Sequence, residues 1–142
     1  MARKYIFRAQ VVKNDPMFNP EDGWVEGYYY EDLCLDKERK PVMKSFIRSG
    51  EMIWEVKPET LGQYLGTNIF NQKVFEGDMV KLSNHIVSVI EWSDMKMDYV
   101  LHSYLLHPAE RRGEDLMDMT IPVGFLFEAQ VIGNIHTDNI LK

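Results

Sequence analysis

The sequence predicts a mainly β fold with little helix, in which an N-terminal β region is joined to a small barrel-like C-terminal part. Apolar and polar residues alternate within stretches of four to eight positions, which is the pattern of half-buried strands. Clusters of Gly, Asn, Asp and Pro separate these runs at short intervals. From residue 77 onward, five such runs follow one another within about 60 residues, a density typical of small barrels and sandwiches.

The N-terminal region contains four candidate strands. Residues 5–12 place Tyr5, Phe7, Ala9 and Val11 on one side, which predicts the first strand. Turn-forming residues at 14–16 and 19–23 end it. Residues 24–30 (WVEGYYY) are aromatic and β-prone, a charged loop follows at 36–41, and runs at 42–47 and 52–56 predict two further strands around a turn at 49–50.

A connector is expected between the two β regions. Pro58 suits a first helical position, so residues 58–65 predict either one short helical turn or an irregular stretch. Gly62 and Gly66 oppose anything longer. We therefore predict an N-terminal β region at 1–57, a connector at 58–76 and a barrel-like region at 77–142, with one compact domain over 1–142 as the alternative.

The C-terminal region reads as strands at 79–82, 86–92, 99–106, 123–127 and 131–136. A helix over 95–106 is the alternative for the third of these. Residues 108–119 form a charged insertion with room for one helical turn. The entry into the first strand, at Gly77 and Asp78, is analogous to that of SH3-like barrels.

The turn at Gly77 and Asp78 has a structural and a functional interpretation. Glycine tolerates the positive φ that such turns demand, and an aspartate there can accept hydrogen bonds from N–H groups that follow it. Phe75, Val80 and Leu82 would then point into the core. Glu76 and Asp78 could instead form a catalytic or metal-binding pair, but such chemistry needs further partners. We favour the structural interpretation.

The net charge disfavours nucleic-acid binding, and the cysteine content excludes disulfide-bonded and cysteine-ligated zinc proteins. The formal net charge is −6, and residues 85–142 alone hold 9 acidic against 4 basic side chains. An acidic chain repels nucleic-acid phosphates at long range. Cys34 is the single cysteine, which excludes an intrachain disulfide and a thiolate cluster, and we expect a buried structural thiol. No apolar leader and no long apolar run occur, which predicts a cytoplasmic protein without membrane partners.

No catalytic, cofactor-binding or metal-binding residues are predicted. His102 and His107 lie five apart, which separates them on a strand and on a helix alike, and only tertiary proximity to His85 or His136 would assemble a site. Two carboxylate pairs at i,i+4 would share a helix face, yet a metal site needs more ligands, so a solvated acidic surface is favoured. These pairs are Asp94 with Asp98 and Glu114 with Asp118.

Two features point to partners. Basic residues at 37, 39, 40, 44 and 48 follow three tyrosines, and cations beside aromatic rings suit single-stranded nucleic acid. Nearby acidic residues cancel much of that field, so we favour a hairpin with a solvated charged tip. Nine Met and 17 aromatic residues exceed what one small β domain hides easily. We therefore expect a homo-oligomer, formed through a surface that includes part of the cluster Trp24, Tyr28, Tyr29 and Tyr30.

Several segments resemble the YopX family of small proteins from bacteriophages and prophages of Gram-positive bacteria. They are QYLGT at 63–67, FEGDMV at 75–80, RKYIFRA at 3–9 and VIGNIH at 131–136. The likeness is weak across 13–56 and 95–120. The resemblance implies a phage-encoded accessory protein in the host cytoplasm, non-enzymatic, acting through contacts with itself or with another host or phage protein. A nucleic-acid-binding small barrel is the alternative. The resemblance to the YopX family implies no catalytic residues for this chain.

Overall fold

The structure, a computed structural model, describes residues 5–12, 19–20, 22–81, 86–107 and 112–137, without the side chains of 105–107 and 112–117. The chain divides into two units, residues 1–64 and 65–142. Both are built from antiparallel strands, so the predicted mainly β class is confirmed.

The first unit contains five strands and one 3-10 turn. In chain order these are β1 (Phe7–Gln10), β2 (Trp24–Leu35), β3 (Pro41–Ser49), β4 (Met52–Val56), the 3-10 turn Pro58–Thr60, and β5 (Gly62–Thr67), which crosses the boundary between the units. Their order in the sheet is β4-β3-β2-β1-β5. Each neighbouring pair is antiparallel.

The sheet of the first unit closes on itself. Val11, just after β1, forms a bridge with Val56 at the end of β4. The Val12 amide donates to the Glu55 carbonyl at 2.9 Å, and the Lys57 amide donates to the Gln10 carbonyl at 2.8 Å. The apolar interior contains Ala9, Val11, Val25, Ile47 and Val56, all buried. Closure into a small barrel is therefore seen in the first unit, whereas the sequence suggested it for the C-terminal part.

Residues 58–76 are more regular than a connector. The expected short helical turn is present as the 3-10 turn, held because the Thr60 hydroxyl donates to the Lys57 carbonyl at 2.7 Å. β5 follows at once, and β6 (Lys73–Phe75) is its neighbour in the sheet. Gly62 begins the strand β5, because pairing with β1 provides hydrogen-bond partners for the backbone there.

The second unit holds the remaining elements. They are β6, β7 (Asp78–Lys81), β8 (Ile86–Ser93), β9 (Asp98–His107), β10 (Arg112–Thr120), α1 (Phe125–Glu128) and β11 (Val131–Asn134). The last five strands form an antiparallel sheet of order β10-β9-β8-β7-β11. Its two faces bury separate clusters, one around Val80, Ile90 and Leu101 and the other around Met79 and Val89. The SH3-like analogy stays a prediction.

Two expectations for this part of the chain are wrong. Residues 123–127 are not a strand, because Gly124 adopts φ +78° and starts the short helix α1. Most of the charged insertion at 108–119 is strand β10, which pairs with β9 through a bulge between Asp115 and Asp118. The strand predicted at 99–106 is confirmed within β9, and its helical alternative at 95–106 is wrong, since residues 94–97 are a turn. In β10, long-range pairing with β9 overrode the weak local signal.

The turn before β7 confirms the structural interpretation of Gly77. Gly77 has φ +92°, its amide donates to the Ile90 carbonyl at 2.8 Å, and its carbonyl accepts from the Ile135 amide at 3.0 Å. Asp78 is buried, and its carboxylate accepts from the preceding Phe75 amide at 2.8 Å. Phe75 and Val80 are buried as expected, while Leu82 lies outside the described residues.

Candidate interaction surface

A two-stranded arm extends from the sheet of the first unit. β1 covers β2 only over Trp24–Gly27, and β4 covers β3 only from Ser45 to Ser49. Residues 31–44, which we call the arm, therefore consist of the outer halves of β2 and β3 and the turn between them. The pairing runs in register from Glu31 with Ser45 to Leu35 with Pro41.

One face of the arm is apolar and exposed. Leu33 lies directly opposite Met43, and Leu35 lies opposite Pro41, so these four side chains share a face. Leu33, Leu35 and Met43 retain 63%, 65% and 58% of their accessible surface. Because side chains alternate along a strand, this is also the face that carries the buried Ile47 at the foot of the arm. We call it the apolar face of the arm.

A tight turn fixes the tip of the arm at residues 36–40. Asp36 organises it: one carboxylate oxygen accepts from the amides of Glu38 and Lys40, both at 2.8 Å. The Asp36 amide also donates to the Lys40 carbonyl at 2.9 Å. Arg39 adopts φ +61° within this turn. The sequence predicted a charged loop here, and its conformation follows from the aspartate's capacity to bond forward along the backbone.

Tyr29 and Glu31 mark the base of the apolar face. The Tyr29 hydroxyl donates to a Glu31 carboxylate oxygen at 2.7 Å, and the Ser45 hydroxyl lies 3.1 Å from it. The Tyr29 ring packs against Phe7, with ring centroids 5.8 Å apart. Burial raises the pKa of the Tyr29 phenol, and the neighbouring Glu31 carboxylate raises it further, while the Ser45 hydrogen bond opposes them.

The aromatic cluster expected at an oligomer surface is largely engaged within the first unit. Tyr29 is partly buried as described, Tyr30 stacks on Phe46 at 5.3 Å, and the Arg8 guanidinium lies 5.0 Å above the Trp24 ring. Tyr28 is the exposed member, at 69%. Further along β2, Leu33 and Leu35 are exposed as well, and the sequence did not indicate them as surface residues.

Cys34 and the basic residues also lie on or next to the arm. Cys34 is half-buried rather than buried, with its sulfur 3.8 Å from the Asp32 carbonyl. The expected hairpin with a charged tip is confirmed. Several basic side chains have nearby acceptors: Lys40 with Glu38 at 3.5 Å, Lys44 with Glu55 at 3.5 Å, and Arg48 Nε with the Gly50 carbonyl at 3.0 Å.

Candidate catalytic and metal-binding residues are dispersed in the second unit. Asp94 accepts from the Trp92 indole at 3.0 Å and Asp98 from the Tyr99 amide at 2.7 Å. Both lie in or beside a turn, so the shared helix face is wrong. Glu114 and Asp118 lie on strand β10, not on a helix. Among the described residues, no group of three His, Cys, Asp or Glu side chains could hold a metal ion.

Two histidines have contacts within the second unit. His102 Nδ1 forms a hydrogen bond with an Asp118 carboxylate oxygen, and its ring meets Tyr104 edge-on, with ring centroids 4.8 Å apart. The His136 amide donates to the Asn134 side chain at 2.8 Å. His85 lies outside the described residues, and so does the His107 side chain. The His102–Asp118 pair follows from the bulged register of β10, which the sequence does not reveal.

The second unit also contains an open apolar cleft of about 220 Å³. It is lined by Leu65, Gly66, Thr67, Val74, Leu126 and Phe127. Beside it, the side-chain amide of Asn68 donates to the Ala129 carbonyl at 2.8 Å. Pockets that take drug-sized ligands start at roughly 300 Å³, so this cleft is smaller than a typical pocket of that kind.

Comparison of the chain with protein-family models, with curated proteins and with solved structures finds no match. The resemblance to the YopX family therefore stays a prediction. Over the described residues, no helix combines the length and apolar character needed to cross a membrane.

Proposed function

We propose that this chain is a non-enzymatic accessory protein that acts through protein–protein contacts made by the apolar face of the arm. The observation that carries the proposal is the exposure of Leu33, Leu35 and Met43 together on one face of a two-stranded element. The resemblance to the YopX family supplies the setting of the proposal, a phage-encoded protein in the host cytoplasm.

Burial of the apolar face of the arm by a partner is energetically favourable. Removing the exposed parts of three such side chains from water would stabilise a complex by on the order of 1–2 kcal/mol each. The turn around Asp36 and the cross-strand pairing already order the arm, so less conformational entropy is lost on binding. Apolar anchors that are presented by a preformed element are typical of interaction sites.

Affinity capture tests the proposal with a tagged full-length chain in host cells that carry the phage. Wild-type protein should retain at least one partner, which can be another host or phage protein or an untagged copy of the chain. The double variant Leu33→Asp, Met43→Asp should lose it. Met95→Asp is the matched control, because Met95 is exposed but lies in a turn of the second unit. Equal capture by wild type and the double variant, or no capture at all, rejects the proposal.

A nucleic-acid-binding protein is the second candidate. Tyr28 is exposed and lies directly opposite Arg48 on the other face of the β2–β3 hairpin, and an aromatic ring beside a cation can stack on a base. Titration of single-stranded DNA and RNA at two salt concentrations decides the matter. Binding that weakens steeply with salt and is lost in Tyr28→Ala would favour this candidate.

A further inference from the structure

We infer that the occupant of the apolar face is the same face of a second copy of this chain, packed antiparallel about a two-fold axis so that each tip lies over the base of the other arm. This inference rests on the proposed function and names its partner. A two-fold contact requires a patch that complements itself. Leu33 and Met43 lie opposite each other between the base at Glu31 and the tip, so they can lie near such an axis.

The charges of the arm permit two copies to meet. Residues 31–44 contain four acidic and four basic side chains, whereas the whole chain carries −6. The arm is therefore neutral in an acidic protein. Screening at physiological salt acts over roughly 8 Å, so dispersed charges elsewhere in the chain repel only weakly across an interface between arms.

The distribution of those charges selects the antiparallel orientation. The tip, residues 36–40, holds three basic and two acidic side chains, giving +1. Glu31 stands at the base of the apolar face, where the Tyr29 hydroxyl holds its carboxylate. Antiparallel packing places each positive tip near the partner's Glu31. Parallel packing would place tip on tip and Glu31 on Glu31, so that like charges oppose, and such charge patterns set orientation more than affinity.

Sedimentation equilibrium of the whole chain at physiological salt tests whether the occupant is a second copy. Wild type should show a mass of twice the 16.7 kDa chain at micromolar concentration, and Leu33→Asp should return it to the monomer. Met95→Asp again serves as the control. A wild-type monomer overturns the second copy as occupant. If arm-dependent capture of a different protein is then still observed, the proposed function stands without this inference.

Charge reversal tests the orientation. Glu31→Lys alone, and Lys37→Glu with Lys40→Glu, should each raise the dimer dissociation constant by about threefold, the scale of exposed charge pairs. All three substitutions in one chain should bring it back to within about twofold of wild type, because tip and base then have exchanged signs. Glu31→Gln keeps an acceptor for Tyr29 and should fall between wild type and Glu31→Lys.

The alternatives give different results. If the combined variant dimerises less well than either reversal alone, like charges oppose each other and the antiparallel orientation is wrong. If none of the variants, Leu33→Asp included, alters the mass of a dimer, the arm is not the interface. Circular dichroism of each variant confirms that the chain is folded before its mass is interpreted.

Discussion

Asp78 illustrates how burial assigns a role to a single residue. Its neighbour Glu76 made a carboxylate pair conceivable, but Glu76 lies in the turn and Asp78 is buried with its oxygens engaged. One oxygen accepts from the Phe75 backbone amide at 2.8 Å, and the other lies 3.4 Å from the side-chain nitrogen Nδ2 of Asn134. Hydrogen bonds of this kind offset the cost of removing a carboxylate from water, so Asp78 fixes the entry into β7.

Gly77→Val should lower the free energy of unfolding by about 1–3 kcal/mol, because a β-branched residue is strained at φ +92°. Crowding contributes little, since the nearest atom to an added Cβ would be His136 Nε2 at 3.5 Å. Denaturant unfolding measures the loss. Gly77→Asn should cost less, because asparagine tolerates positive φ better. An unchanged transition midpoint in the valine variant would contradict this account.

Tyr29 links the core of the first unit to the arm, and its ionisation should make stability depend on pH. The pKa of its phenol is raised, first by burial and then by Glu31. The pKa of the phenol in the folded state therefore lies above its ordinary value of about 10, and folding favours the neutral form. This contribution to stability is present below about pH 10 and is lost as the pH rises through the raised folded-state pKa.

Tyr29→Phe should destabilise the protein at neutral pH by about 1 kcal/mol, since the contacts to Glu31 and Ser45 are lost. Above pH 10 its stability should fall less steeply than that of wild type. Urea unfolding at pH 8 and pH 10.5 measures both effects, with exposed Tyr28→Phe as the control. Parallel pH dependence in the wild type and Tyr29→Phe would show that this phenol does not titrate as described.

At the scale of the element, the arm differs from the rest of β2 and β3. A two-stranded hairpin is marginally stable on its own in water, and neither β1 nor β4 covers this one. Its order comes from the Asp36 turn at one end and from Tyr29 and Ser45 at the other. The arm therefore contributes little to the core, and its apolar face remains in contact with water among the residues that the structure describes.

Replacing residues 33–43 by Asn-Gly should leave the first unit folded, because the removed side chains are exposed or half-buried. Asn-Gly supports a two-residue hairpin loop. The free energy of unfolding should change by less than about 1 kcal/mol, as for other surface changes, while the partner contacts are lost. Thermal unfolding and sedimentation of the shortened chain measure the two outcomes. A large loss of stability would mean that the arm belongs to the folded core.

For the whole molecule, apolar burial is divided among separate clusters. The first unit packs Ala9, Val25 and Ile47 together, and the second unit buries side chains on both faces of its sheet. A chain of this length hides roughly two-thirds of its unfolded surface. We therefore expect the fold to need neither a metal ion nor a disulfide.

Excess EDTA should therefore leave the melting temperature of the protein unchanged, and elemental analysis should find far less than one zinc or other transition-metal ion per chain. Structural metal sites contribute directly to folding, so their removal lowers stability sharply. Calorimetry before and after chelation, with added zinc as the control, measures this. A lower melting temperature that zinc restores would reveal a metal site.

The sequence by itself determined most strands and the conformation of Gly77, because both depend on local signals. Apolar and aromatic runs predicted β1, β3, β4, β7, β8, β9 and β11 and the first part of β2, at residues 24–30, and a Gly-Asp turn predicted positive φ. Local signals were insufficient for the outer part of β2 and for β5, β6, β10 and α1. The charged residues of β10 give no strand pattern, and their conformation depends on the register with β9.

Only the tertiary structure decided which apolar residues stay exposed. Met43 lies in a predicted strand, whereas Leu33 and Leu35 lie beyond the strand predicted at 24–30, and all three lie past the ends of β1 and β4 and remain in contact with water. The aromatic cluster was expected at an interface, but its members Tyr29 and Trp24 pack within the first unit. Where neighbouring strands end is set by long-range pairing, so alternation along one strand predicts a face but not what covers it.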